Sequence, residues 1–153
     1  LAVYARYGLE PITDPSADEA LRNALTKLKG NFLIGVINSI NKRRDAKAVP
    51  ALVKLMNGPD PDIARAAAAA LGSIGTAQAA KDLQAALPKT TGLVRMAVSD
   101  AVLVCAERML ADGKRDDAMA LYTAMSAPNL PKPVRLAAMS GIIREETSIN
   151  RPK

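Results

Sequence analysis

Along most of the chain apolar positions recur every three to four residues, in blocks of a dozen or so separated by short runs rich in Pro, Gly, Asp and Thr. That period turns one helical face toward a core, whereas the two-residue alternation of a half-buried strand is sustained nowhere. The blocks predict helices over 1–9, 17–29, 31–42, 46–57, 61–74, 76–87, 92–112, 115–126 and 132–145. The breaks carry matching chemistry. In "DPSADEAL" Ser16 with Glu19 three residues on reads as a capping box, and "NGPDPD" supplies a stop at Gly58 and a new start around Asp60-Pro61. Connections this short fold neighbouring helices back on one another.

The blocks also repeat. "IARAAAAALGSIG" followed by "TAQAAKDLQAAL", "VRMAVSDAVLV" followed by "RDDAMALYTAM", and a closing "VRLAAMSGII" place Arg65, Arg95 and Arg135 at matching positions, 30 and 40 residues apart. The earlier "GVINSINKRRDAKAVPAL" fits the same frame if three residues, most simply within "KRR", are an insertion. The expected architecture is an all-α superhelix of about four antiparallel helix pairs, near 17–42, 46–74, 76–112 and 115–145, with 1–9 as a leading remnant. In the pair around "DIARAAAAALGSIG", Ala66, Ala67, Ala70, Leu71 and Ile74 form an inner stripe against Val49, Leu52, Val53 and Met56. Gly72 and Gly75 read as loosening the helix end and opening the next turn.

These residues, above all "AVPALVKLMNGPDPDIARAAAAALGSIG" at 48–75, resemble the HEAT repeats, and in particular the bacterial HEAT-like repeats first described in phycobilisome lyases. The strings "ARYGLEPITDPSADEAL" and "LKGNFLIGVINSINKRRDAKAVPAL" are further similar to HEAT arrays in large, often exported, multidomain proteins of environmental bacteria. The resemblance implies an Asp/Arg ladder carried by Asp62, Arg65, Arg95 and Arg135, in which guanidinium groups bond turn carbonyls or a neighbouring Asp. Asp is missing before Arg95 ("KTTGLV") and before Arg135 ("NLPKPV"), which breaks its continuity. The opening "LAVYARYGLE" reads as the end of a helix, and the chain is expected to be a fragment of a longer protein.

Composition narrows the chemistry. The chain of 153 residues holds 29 Ala, no Trp and 3% aromatic residues, so its core is built from small side chains on closely spaced backbones. Net charge is +6 and the pI about 9.7, a balance that favours solubility without naming an acidic partner. The run Lys42-Arg43-Arg44 reads as a solvated loop. With His absent, the usual general base, the serine triad and the commonest zinc ligand are lost together. Cys105, the one cysteine, sits in an apolar segment as a packed thiol. The carboxylates in "PDPD", "RDD" and "REE" are turn or cap residues, and "LGSIG" follows no strand, so it is no phosphate loop. No metal, cofactor or membrane span is expected.

The leading expectation is a noncatalytic scaffold that binds protein or orients neighbouring domains. Its concave wall would be lined by second helices, with Asn38, Asn41, Lys42, Ser73, Ser99, Ser140 and Arg144 as exposed polar positions. The alternatives are an accessory module of an enzyme, lyase-like or attached to a hydrolase or redox domain, and nonspecific nucleic-acid binding. Nucleic acid is disfavoured because only Phe32, Tyr4, Tyr7 and Tyr122 could stack on a base.

Overall fold

A computed structural model describes Gly8 and residues 11–150; the expected helix over 1–9 otherwise lies outside the described residues. Eight α-helices account for most of the described part: α1 (Pro15–Leu25), α2 (Gly30–Arg43), α3 (Val49–Met56), α4 (Pro61–Ile74), α5 (Ala77–Ala86), α6 (Gly92–Ala111), α7 (Arg115–Met125) and α8 (Lys132–Ile149). Short 3-10 turns at Ala46–Ala48 and Leu87–Lys89 lead into α3 and out of α5, and no strand occurs among the described residues. Neighbouring helices pack in antiparallel pairs. The even-numbered helices α2, α4 and α6 also stack side by side, so the architecture is an α-α solenoid.

Side-chain caps start α1, α4 and α5. Asp60 accepts from the backbone of Asp62 at 2.9 Å and Ile63 at 3.3 Å, with Pro61 preset for the first turn of α4. The expected Ser16 capping box is not formed. Asp14 takes the cap instead, accepting from the Ser16 N–H at 2.7 Å, because Pro15 fits the first helical position and draws the start of α1 two residues earlier. The hydroxyl and backbone N–H of Ser16 hold the Asp14 carboxyl below the usual carboxylate range.

Burial sets the repeat. In the odd helices and the 3-10 turns that flank them the covered residues are Ala17, Leu21 and Leu25, then Ala48, Leu52 and Met56, then Ala79, Leu83 and Leu87, each set 31 positions after the last. The caps Asp14, Asp45 and Thr76 keep the same step. So do Val36, Ala67 and Val98, and Ile40, Leu71 and Val102, in the even helices. The expected three-residue insertion in "KRR" is therefore absent. Arg44 (φ 51°) and Gly75 (φ 68°) are both left-handed caps, 31 residues apart, ending α2 and α4 alike. Only the 20-residue α6 breaks the step, so that Val98 and Ala101 correspond to Ala138 and Gly141, 40 positions on.

The alanine run is the tightest part of the stack. Ala64, Ala67, Ala68, Ala70, Leu71 and Gly72 are all buried, because α4 is covered by α2, α3 and α6 together. Ala66 of the expected stripe is only partly covered, and Val49, Leu52 and Met56 are buried opposite. Gly72 does not loosen the helix end. It lies within α4 where the backbone of α6 passes, and a Cβ there would meet the Ala101 carbonyl oxygen. Gly75 is the stop, as expected from the sequence.

Candidate protein-binding wall

The 31-residue step defines which side chains share a row across the even helices. Asn38, Ala69 and Asp100 make one row, continued on α8 by Ser140, and all four are exposed. Lys42, Ser73, Val104 and Arg144 make the next; Ser73 is half-buried and the others are exposed. Asn41 is half-buried, in the row of Gly72. Ser99 does not belong to the wall. It is 1% exposed, and its hydroxyl donates to the Arg95 carbonyl at 2.9 Å, which satisfies it without solvent. One residue on a helix is a turn of about 100°, so Asp100 holds the wall position for which Ser99 was expected.

The wall changes character along its length. Its first half is mostly polar, with Asn38, Lys42 and Ser73. Its second half carries Leu93, Met96 and Val104 on α6 and Leu136 on α8, all at least 42% exposed. The joints differ too. At α4–α6 the backbones touch, whereas α6 and α8 meet sparsely, leaving a cavity of about 340 Å³ between them. Arg95, Met96, Leu103, Pro131, Val134 and Ala137 line this groove. The segment "SAPNLPKP" carries three prolines, two in the loop before α8 and Pro133 in its first turn, where the fixed φ suits a helix start.

The expected ladder is not continuous. Arg65 and Asp62 approach to 3.7 Å within one turn, both well exposed, a pairing of little energetic weight. Arg95 and Arg135 share a row with Ala64 rather than Arg65, and the Nε atom of each is buried with no hydrogen-bond partner among the described residues. The ion pairs that join elements lie elsewhere. Arg22 pairs with Asp45 and Arg43 with Asp18, while Arg43 also donates to the Ile12 carbonyl, so within the "KRR" run Arg43 ties α2 to α1 whereas Lys42 and Arg44 are exposed. Asp18 raises the Arg43 guanidinium above its ordinary value. Arg115 reaches Glu145 at 3.6 Å, and Arg144 reaches Glu107 at 3.7 Å across α8 and α6.

Among the described residues no three His, Cys, Asp or Glu side chains gather as a metal site, and no helix is long and apolar enough to cross a membrane. Cys105 is fully buried, and desolvation pushes its thiol up to about 11, away from the thiolate a nucleophile requires. The curated proteins contain no match to this chain. The profile of the HEAT repeats matches residues 19–102, more than half of its length. With the paired helices, the shared 31-residue burial step and the side-by-side even helices, this match places the chain in the HEAT repeat family.

Proposed function

We propose that this chain is a noncatalytic scaffold whose second-helix wall holds a protein partner or a neighbouring domain, with 17–42, 46–74, 76–112 and 115–145 as four helix pairs of one repeat domain. HEAT repeats generally act as protein-interaction scaffolds, and the fold is typically non-enzymatic. The observation that carries the reading is the groove at the α6–α8 joint. It pairs an apolar lining, Met96, Leu103, Val134 and Ala137, with the half-buried Arg95 guanidinium. Such a site fits an apolar side chain beside an acceptor, the combination an interface core uses to anchor a partner. Asp100, Ser140 and Arg144 then form the polar rim beside the groove, Asn38 lies farther along the wall on α2, and any catalysis belongs to other polypeptide.

The experiment is affinity capture from the source organism with the wild-type chain and with Met96→Glu and Asp100→Lys, both at exposed positions. A partner held by wild type and lost by the variants, with far-UV circular dichroism and melting unchanged, supports the wall. Equal capture by all three removes it as the site.

A further inference from the structure

On α4 the positions turned toward the next even helix are Ala68 and Gly72, both buried; on α6 they are Ser99, buried, and Leu103, half-buried. On α8 the same register holds Met139 and Ile143, which are 50% and 59% exposed. Arg135 and Glu146 extend this stripe at its two ends, and spacings of four, four and three residues put all four side chains on one helical face. Arg135 keeps its Nε buried without a partner, and Glu146 is exposed. Among the described residues α8 thus exposes the register positions that α4 and α6 cover wholly or in part.

We propose that this face of α8 is a homodimer interface, on which α8 of a second copy packs antiparallel about a two-fold axis near Ser140 and Gly141. The stripe is self-complementary about that point. Arg135 opposes Glu146 of the second copy, Met139 opposes Ile143, and each contact is made twice, as a closed two-fold interface requires. A parallel arrangement in register would set Arg135 against Arg135 and Glu146 against Glu146, a like-charge penalty that selects the antiparallel form. The interface uses the register positions by which α4 packs on α6. Val134 and Ala137 face the α6 groove from another side of α8, so pairing leaves that groove open.

Sedimentation velocity and light scattering of the full chain at increasing concentration test the proposal. A dimer is expected at tens of micromolar. Ile143→Glu and Met139→Glu should each yield monomer with unchanged helicity, since both side chains are exposed. Arg135→Glu should weaken the dimer by at least tenfold, and adding Glu146→Arg to it should restore the wild-type state. A wild-type chain that stays monomeric at hundreds of micromolar overturns the interface, as does association that grows past two copies. Failure of the double exchange to restore pairing overturns the antiparallel arrangement.

Discussion

The Cβ that Gly72 lacks would stand 2.7 Å from the carbonyl oxygen of Ala101 and 3.0 Å from its Cα, so α4 and α6 meet backbone to backbone. Neither chain can yield there by turning a side chain. Gly72→Ala gains about 1 kcal/mol of helix propensity but forces the joint apart, an overpacking cost of about 1–3 kcal/mol. The expected outcome is a lower thermal midpoint by circular dichroism. A midpoint equal to wild type or above it would show that the joint relaxes.

The alanine run makes a related prediction with an internal control. Ala67 and Ala70 are 0% exposed, while Ala69, between them, faces solvent. Ala67→Leu or Ala70→Leu should destabilise by about 1–3 kcal/mol in urea unfolding, and Ala69→Leu should fall within about 0.5 kcal/mol of wild type. Similar losses at all three would mean that the buried face is wrongly assigned.

Much of this was legible in the sequence, and the failures are instructive. The Asp60-Pro61 start and the Gly75 stop advertise themselves because capping is local: the side chain and the backbone it serves are within three residues. The register was harder to see, since Leu33, Ala64 and Arg95 occupy one position with unlike side chains, while Arg65 imitates Arg95 one residue out of step. Aligning the arginines sets a step of 30, whereas the buried residues set 31, a step at which "GVINSINKRRDAKAVPAL" meets its counterpart with no insertion. Polarity alone suggests Ser99 for the wall, but the burial register gives that position to Asp100. The ion pairs of Arg22 and Arg43 span more than twenty residues, and no short motif marks them. The groove arises from how far α8 stands from α6, a tertiary distance that periodicity does not encode.

Arg44 and Gly75 hold the same left-handed cap with opposite suitability. Gly75→Ala places a Cβ 2.3 Å from the Arg108 Cγ and strains the backbone, and should cost about 1–2 kcal/mol. Arg44→Gly relieves that strain at an exposed site. Its gain, reduced by the greater freedom of glycine in the unfolded chain, should be about 0.5 kcal/mol. Chemical denaturation of the pair should move the two midpoints in opposite directions; movement in the same direction would contradict the shared cap.

Asp45 has two tasks, capping the turn before α3 through the Lys47 N–H at 3.1 Å and pairing with Arg22 on α1. Asp45→Ala removes both and should destabilise by about 1–2 kcal/mol. Asp45→Asn keeps a capping oxygen and weakens only the ion pair, so it should recover at least half of the loss. Raising the salt concentration should narrow the gap between wild type and Asp45→Asn while leaving the alanine variant behind. If the two variants are equally unstable, the cap contributes nothing measurable.

Cys105 gives the fold an alkaline limit. Burial pushes the thiol from its ordinary 9.0 up to about 11, with Lys114 pulling more weakly the other way. Between those values the unfolded chain has released the proton and the folded chain still holds it. The unfolded state therefore binds fewer protons, and stability falls as pH rises through this window, while below about pH 9 the full contribution is present. Cys105→Ala loses packing at every pH but lacks this slope. Urea midpoints measured across the window should therefore fall more steeply for wild type than for Cys105→Ala, and the two curves should converge. In the same preparations, alkylation of the wild-type thiol near neutral pH should proceed only as fast as the helices around it open. Parallel pH curves together with rapid alkylation of the folded chain would mean that the thiol is not buried in solution.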